Sequence, residues 1–269
     1  MKFIPLTIRE SKIWRSLRSR KNQIIMKYRF WMSLRFNVTP VLIYQMGKVG
    51  SSSLYFSLRN YVPLVIHCHT LGEDHWDWRV SQLYKMVFLE KKQLPMKIIS
   101  LTREPISRNL SAFFEYFERH TGVPYEQSNF SLEYLMEIFI NKESPAWPIQ
   151  FLHNFEYLFG IDIYGTPFPS SGIATYKNGK IELLVMRSEI SDEKKIEAVE
   201  KFLEITNFKL NNTNIGAQKE YAQTYKLFKE KIKLPLDYIN KMCDSQYFNH
   251  FYSKETVESV RKKWMDRIT

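Results

Sequence analysis

The chain has 269 residues, of which 44% are hydrophobic and 25% charged, a composition typical of a globular protein. A chain of this length can bury a large core, so we expect one α/β domain with an appended arm. Two cysteines are too few for a disulfide framework, which favours a reducing compartment. No stretch has the roughly 18–20 apolar residues of a membrane span and no signal core is found, so we expect a cytoplasmic protein.

The first 36 residues hold most of the positive charge. The chain has a net charge of +11, and residues 1–36 contain ten Lys or Arg against one acidic residue, so +9 belongs to this arm and +2 to the rest. A body with so little net charge is not expected to coat a nucleic acid, and we expect no nucleic-acid partner. The sequence therefore divides into a basic arm over residues 1–36 and a single domain over residues 37–269.

Apolar residues recur in the arm every three to four positions, which predicts a basic amphipathic helix; they are Ile13, Leu17, Ile24, Tyr28, Trp31 and Met32. Two interpretations stay open. The helix packs on the domain with its cations in solvent, which we favour slightly, or it lies on an anionic lipid surface. In the second case the protein would be peripheral at the inner face of the membrane.

A glycine-rich loop follows the first predicted strand of the domain. Val41–Tyr44 is an apolar run suited to a strand, the loop runs through Gly47–Ser53, and an apolar-periodic segment typical of a helix follows. Gly47 and Gly50 allow the backbone to turn tightly and approach an anion, while the serines stand where a helix presents unpaired N–H groups. Lys48 adds a mobile positive charge.

This loop departs from the nucleoside-triphosphate P-loop, whose pattern is a glycine, four residues, and then Gly-Lys followed by Ser or Thr. Here Val49 follows Gly47-Lys48, and Leu42 occupies the position of the first glycine. With its lysine ahead of Gly-Ser-Ser, the loop resembles the 5′-phosphosulfate loop of sulfotransferases that use 3′-phosphoadenosine-5′-phosphosulfate (PAPS). For the loop alone, a Gly/Ser turn without a ligand fits the sequence equally well. The resemblance implies that the donor is bound by Gly47, Lys48, Val49, Gly50, Ser51, Ser52 and Ser53, with Lys48 also catalytic.

Two histidines end the second predicted strand. If the strand persists, alternation places His67 and His69 on the same side of the chain, and we expect at least one of them to be structural. Their spacing alone does not make a zinc site. A His-x-His after the second strand is similar to the arrangement in heparan and uronyl 2-O-sulfotransferases. That resemblance implies that His69 is the catalytic base and that His67 supports it.

A third stretch, Met96 to Phe114, contains a buried-type strand that ends at Arg103-Glu104-Pro105 and continues into a helix. Arg103 stands at the carboxyl end of the strand, where open α/β sheets bind ligands, and Ser111 lies a little over two helical turns further on. This pattern resembles the 3′-phosphate motif of the same sulfotransferases and implies that Arg103 and Ser111 bind the 3′-phosphate. The alternative is an ion pair of Arg103 with a carboxylate such as Glu104 or Glu115.

The second half of the chain is less informative. Residues 120–180 predict a loop-rich insertion with short helices, followed by a hairpin turn at Lys177–Lys180 and a strand over Ile181–Arg187. By resemblance to a late sulfotransferase loop, Lys219 is a further phosphate contact. The tail segment Asn249–Ser253 looks like that of bacterial sulfotransferase-like proteins associated with capsular polysaccharide synthesis.

Together these motifs predict a three-layer, P-loop-type α/β fold with a central, mainly parallel sheet flanked by helices. The resemblance implies an enzyme that transfers a sulfuryl group from PAPS to a carbohydrate hydroxyl, as in polysaccharide or capsule biosynthesis, without a metal. The sequence specifies neither the sulfated position nor the oligomeric state. Two alternatives stay open: a P-loop nucleotide kinase or NTPase that depends on Mg²⁺, and a non-catalytic protein that binds anionic glycan or lipid.

Overall fold

A computed structural model describes residues 24, 26–28, 30–36, 38–142, 146–211 and 220–267, with the side chains of 146 and 147 excepted. Most of the basic arm, residues 1–23, lies outside this part, as does Lys219. The described residues of 24–35 are helical. Phe30 in this helix is fully buried and its ring lies 5.1 Å from that of Trp78. The end of the arm therefore packs on the domain, while its contact with lipid stays a prediction.

A five-stranded sheet forms the centre of the domain. Its strands are β1 (Val41–Tyr44), β2 (Val65–Cys68), β3 (Met96–Thr102), β4 (Ile173–Asn178) and β5 (Ile181–Arg187), in the order β2-β1-β3-β5-β4. The pairings of β1 with β2, β1 with β3 and β3 with β5 are parallel, and β4 runs antiparallel to β5. The prediction of a central, mainly parallel sheet flanked by helices is confirmed.

Helices connect the parallel strands. The first half of the chain forms α1 (Ser51–Leu58), α2 (Trp78–Tyr84), α3 (Pro105–Glu115), α4 (Phe117–Thr121) and α5 (Leu132–Lys142). The second half forms α6 (Ala146–Gln150), α7 (His153–Phe159), α8 (Asp192–Leu203), α9 (Ala222–Lys231), α10 (Leu236–Cys243), α11 (Gln246–Phe251) and α12 (Lys254–Met265). None of the helices in the described part of the chain is long and apolar enough to cross a membrane.

The strands form where apolar residues run without interruption. All four side chains of β1 are buried, and the Leu183–Met186 core of β5 is at most 1% exposed, as expected for strands covered on both faces. The predicted hairpin turn joins β4 to β5, with Gly179 in the left-handed region at φ 57°. Strand β4 lies inside the stretch predicted to be loops and short helices. Its side chains are mostly half-buried or exposed, so it lacks the apolar run that predicts a strand.

The helical prediction over residues 73–93 holds for residues 78–89, and neither end of that range is helical. Helix α2 begins at Trp78 because Asp77 caps it, its carboxylate accepting from the N–H of Arg79 at 3.0 Å. The chain continues as a single π-helical turn over Lys85–Leu89. Residues 72–77 form a loop beside the end of β2. That loop carries an exposed tryptophan, Trp76.

Two tyrosines near the C-terminus, Tyr247 and Tyr252, form a tyrosine brace at the end of β3. The fully buried Tyr247 hydroxyl donates to the carbonyl of Arg103 and accepts from its N–H, both at 2.9 Å. The Tyr252 hydroxyl donates to Glu189 at 2.9 Å, and the other oxygen of Glu189 accepts from the N–H of Glu104 at 2.9 Å. The brace thus satisfies backbone groups that the strand ladder leaves unpaired where β3 ends.

The brace gives a stability prediction. Replacing Tyr247 with Phe leaves the N–H and carbonyl of Arg103 without their partner, so we expect the free energy of unfolding to fall by about 1–3 kcal/mol. The matched control is Tyr157→Phe, because Tyr157 is 87% exposed, and it should change stability by less than about 0.5 kcal/mol. Urea unfolding measures both. Equal effects of the two substitutions would show that the brace does not stabilise the fold.

Candidate active site

A cavity of about 310 Å³, here called the loop cavity, opens where β1, β2 and β3 end. The loop after β1, the chain after β2 and helix α3 supply most of its wall, which is the edge of an α/β sheet where ligands bind. Its lining consists of Gly47, Lys48, Gly50, Ser51, Ser52, Ser53, His69, Arg103, Ser111, Phe114, Glu115, Tyr116, Tyr221 and Tyr225.

Most of the residues predicted from the sequence line this cavity together; they are Gly47, Lys48, Gly50, Ser51, Ser52, Ser53, His69, Arg103 and Ser111. Two do not line it. Val49 is 1% exposed and its side chain belongs to the core, beside a neighbouring cavity. His67 lies behind the loop, against Ser51. Lys219, the remaining predicted contact, falls outside the described residues.

The loop turns through two residues in the left-handed region. Gly50 has φ 87° and directly precedes α1, and Lys48 has φ 71°, a conformation that costs a non-glycine residue roughly 1–2 kcal/mol. Gly47 leaves room for Tyr116. A Cβ atom at this position would lie 3.2 Å from the hydroxyl of Tyr116, which is a tight contact, and 3.7 Å from Nε2 of His69, which is an ordinary one. The glycine therefore allows the Tyr116 hydroxyl to approach the loop backbone closely.

Two arginines compensate the strain in the loop. Nη1 of Arg103 donates to the carbonyl of Lys48 at 2.7 Å, and Nε of Arg108 donates to the carbonyl of Gly47 at 2.9 Å. Hydrogen bonds from charged donors contribute about 1.5–3 kcal/mol each, which exceeds the backbone strain at Lys48. Arg108 is only 3% exposed, so its bond is well shielded from water. The two guanidinium groups hold the loop in one conformation.

Lys48 contacts a carboxylate inside the cavity. Its Nζ lies 3.0 Å from Oε2 of Glu115, and the Tyr221 hydroxyl donates to the same oxygen at 3.0 Å. The side chains of Lys48 and Glu115 are only 17% and 33% exposed, so this ion pair is stronger than a typical surface pair. An anionic ligand of the loop would compete with Glu115 for Lys48.

The histidine pair forms one connected network. His69 places Nδ1 2.7 Å from the carbonyl of Gln45, and because a carbonyl only accepts, Nδ1 carries the proton. Nε2 of His69 is then an unprotonated base that faces Gly47. His67 places its Nε2 3.0 Å from the Ser51 hydroxyl and 3.1 Å from the side-chain nitrogen of Gln45. His67 therefore buttresses the loop, and His69 is the histidine that lines the cavity.

Burial keeps both histidines neutral. It lowers the pKa of His67 to about 4, with a further contribution from the neighbouring His69. It also lowers the pKa of His69, although the hydrogen bond to the Gln45 carbonyl acts in the opposite direction. The positive charges of Arg108 and Lys48 add to the lowering of the pKa of His69. At neutral pH His69 therefore has a free lone pair on Nε2, the state that a general base requires.

The proposed 3′-phosphate residues lie where β3 passes into α3. Arg103 follows β3, and Ser111 on α3 lines the cavity together with Tyr225. Burial raises the pKa of Tyr225, and the neighbouring Arg103 and Ser111 lower it in part. The alternative ion pairs of Arg103 do not form. Glu104 instead accepts from the N–H groups of Ile106 and Ser107 at 2.6 and 2.9 Å as the cap of α3, and Glu115 pairs with Lys48.

Several residues of the site were not predicted as ligand-binding from the sequence. Glu115 lies one helical turn beyond Ser111 on the same helix, so the i, i+4 spacing could have indicated it. Arg108 gave no such signal, because only the packing of α3 against the loop buries it. Tyr221, which directly precedes α9, and Tyr225 in α9 lie more than 100 residues beyond α3 in the sequence. Among the described residues, no group of three or more metal-ligand side chains is arranged to hold a metal ion.

Residues 126–253 match the model of the NKWYS family, described as "Putative capsular polysaccharide synthesis protein". No curated protein and no solved structure matches the chain. The matched part contributes Tyr221 and Tyr225 to the loop cavity and includes the tyrosine brace. The glycine loop, His69 and Arg103 precede it. The family match therefore covers one part of the site and leaves out the other part.

The buried histidine pair gives a pH prediction. His67 stays neutral in the folded protein down to about pH 4, whereas the unfolded chain binds a proton near pH 6.5. Acid therefore favours the unfolded state, and stability is lost as the pH falls from about 6.5 towards 4. We expect His67→Gln to reduce the loss between about pH 6.5 and 4.5 by roughly 2 kcal/mol.

Urea unfolding at several pH values measures this effect. His153→Gln is the matched control for the loss of a histidine, because His153 is exposed on α7. If the His67→Gln protein loses stability with falling pH as steeply as the unmodified chain, the assignment of His67 as buried and neutral is wrong.

Proposed function

We propose that this protein is a sulfotransferase with a P-loop-type fold that transfers a sulfuryl group from PAPS to a hydroxyl of a carbohydrate. The observation that carries the proposal is the loop cavity. It combines a glycine loop with a lysine, a strand-end arginine with a helical serine, and a neutral histidine base. The similarity of residues 126–253 to a capsular polysaccharide synthesis family supports a glycan as the acceptor.

The wall of the cavity suits a nucleotide with a phosphate group at both the 3′ and the 5′ position of its ribose. Gly50–Ser53 form the beginning of α1, where backbone N–H groups and the helix dipole favour an anion, and Lys48 lies beside them. This part would bind the 5′-phosphosulfate. Arg103 and Ser111, from the end of β3 and from α3, would bind the 3′-phosphate by charge-assisted and neutral hydrogen bonds. Because ATP lacks a 3′-phosphate, a site that binds both the 5′-phosphosulfate and the 3′-phosphate would select PAPS over ATP.

In this proposal His69 and Lys48 act at opposite ends of the transferred sulfuryl group. Sulfuryl transfer resembles phosphoryl transfer, which runs in line through a loose transition state, so catalysis depends on position and charge. His69 would accept the proton of the acceptor hydroxyl on Nε2 as the new S–O bond forms. Lys48 would neutralise the charge that grows on the 5′-phosphate oxygen as the old S–O bond breaks. Gln45 keeps His69 in the required tautomer through its carbonyl.

Binding of the product nucleotide tests the donor. We expect calorimetry to show that 3′-phosphoadenosine-5′-phosphate binds without Mg²⁺ and more tightly than ATP–Mg²⁺. Ser111→Ala should weaken this nucleotide but not its analogue without the 3′-phosphate, since the lost contact exists only in the first complex. Arg103→Ala should do the same more strongly, because a charge-assisted bond is worth about 1.5–3 kcal/mol.

Arg103 also holds the glycine loop, so Arg103→Ala would disturb the loop as well as remove the contact with the 3′-phosphate. The Ser111 variant is therefore the cleaner test, and Ser128→Ala, outside the cavity, is its control. Equal losses for the two nucleotides would contradict the assignment of the 3′-phosphate. Preferential binding of ATP–Mg²⁺ would favour a kinase or NTPase, and binding of neither nucleotide would favour a non-catalytic binder.

Turnover tests the base. With ³⁵S-labelled donor and a mixture of bacterial capsular polysaccharides as acceptor, His69→Gln should lower the transfer rate by about 10²–10⁴-fold. Its affinity for 3′-phosphoadenosine-5′-phosphate should stay nearly unchanged, because the imidazole acts on the acceptor. His67→Gln should have a milder effect that comes from the support of Ser51. Normal turnover by the His69 variant would exclude His69 as the base, and loss in the His67 variant alone would exchange the two roles.

A further inference from the structure

A second, smaller cavity lies beside the loop cavity, on the other side of the histidine pair. It has a volume of about 200 Å³, below the roughly 300–1,000 Å³ of pockets for drug-sized ligands, so it suits one small ring. We call it the tryptophan cavity. Its lining consists of Tyr55, His67, Cys68, His69, Thr70, His75, Trp76, Asp77 and Arg79.

His69 lines both cavities. Its Nδ1 is held by the carbonyl of Gln45, and its Nε2 faces Gly47 at the beginning of the glycine loop. A molecule in the tryptophan cavity would therefore contact the same imidazole ring as a molecule in the loop cavity. This is the arrangement that transfer between two substrates requires, since the base must contact one reactant while the other is bound in line with it.

The rim of this cavity presents an aromatic ring to solvent. Trp76 is 87% exposed, and its ring lies 5.4 Å from that of His75, whose Nδ1 accepts from the N–H of Asp77 at 3.0 Å. That hydrogen bond orients the imidazole and places its proton on the other nitrogen. The face of an aromatic ring carries partial negative charge, and the axial C–H groups of a pyranose carry partial positive charge. An exposed indole beside a hydrogen-bond donor is thus suited to a sugar ring.

The charges in the cavity select against an acidic sugar. The single cation among its lining residues is Arg79, and Arg79 is bound to Asp77 at 2.6 Å in an ion pair whose two side chains are 14% and 8% exposed. Glu73 and Asp74 in the same loop are exposed, and Glu73 is paired with Lys85 at 3.2 Å. A uronate or sulfated ring in the cavity would meet the Asp77 carboxylate and find the Arg79 cation already paired, whereas a neutral ring needs no cation.

We infer that the tryptophan cavity is the acceptor subsite, in which Trp76 stacks on a neutral pyranose ring and directs one of its hydroxyls to His69. The inference rests on the proposed function and adds the acceptor class, an uncharged sugar residue. It narrows the carbohydrate acceptor that the sequence resemblance implies. Trp76 is a specificity-determining residue in this assignment and takes no part in the chemical step.

Fluorine NMR tests the subsite without a known acceptor. The full chain is labelled with 5-fluorotryptophan, which marks six positions, and Trp76→Phe identifies the Trp76 signal by its disappearance. The probes are the methyl pyranosides of glucose, galactose and mannose, with methyl glucuronide as the acidic counterpart. We expect at least one neutral glycoside to shift the Trp76 signal saturably, and the glucuronide to bind at least about tenfold more weakly.

Variants at one exposed aromatic residue and at the half-buried His75 complete the test. Tyr157 is also 87% exposed but lines neither cavity, so Tyr157→Ala should leave the Trp76 shift unchanged. His75→Ala should reduce the affinity for the glycoside. The inference is overturned if no neutral glycoside shifts the Trp76 signal, or if the glucuronide binds as tightly as the neutral probes.

A nucleotide titration of the same labelled sample separates this inference from the proposed function. Loss of the glycoside shift with normal binding of 3′-phosphoadenosine-5′-phosphate overturns the acceptor subsite alone. A saturable glycoside shift without any nucleotide binding overturns sulfuryl transfer and identifies a sugar-binding protein.

Discussion

The loop after β1 holds its conformation because two guanidinium groups bind its carbonyls. Arg103 and Arg108 donate to the consecutive carbonyls of Lys48 and Gly47, and without them the left-handed conformation of Lys48 would be unfavourable. Arg103 reaches the loop only because β1 and β3 are adjacent and parallel, with Ile43 paired to Ile99. The orientation of Lys48, the approach of His69 to Gly47 and the shape of the cavity all depend on this arrangement.

The C-terminal part of the chain supports the same edge of the sheet. The tyrosine brace holds the backbone of Arg103 and, through Glu189, that of Glu104, so the helix α3 starts from a fixed point. Within the Asn249–Ser253 segment, the Asn249 amide donates to two carbonyls of the preceding turn. The tail motif therefore has a structural role. The residues that match the family model and the glycine loop lie in different parts of the chain, but both contribute to the loop cavity.

Charge in the loop cavity is balanced rather than uniformly positive. Glu115 neutralises Lys48 and is itself hydrogen-bonded by Tyr221, while Arg103 uses one of its nitrogens on the loop backbone. A singly charged anion gains little by replacing a carboxylate that is already in place. A ligand that contacts Lys48 and Arg103 at once gains from both cations. This favours an extended ligand with two anionic groups over a single small ion.

The sequence by itself determined the local elements: the apolar strands, the glycines at the turn, the strand-end arginine and the basic arm. These depend on periodicity and backbone preferences, which neighbouring residues carry. It also indicated most residues that line the loop cavity, because strand ends of a parallel sheet meet at one edge. Only the tertiary structure decided which histidine lines the cavity, since that depends on the partners of each ring, Gln45 and Ser51. Strand β4 and the burial of Arg108 could not be predicted either, because the pairing of β4 with β5 and the packing of α3 against the glycine loop are tertiary contacts.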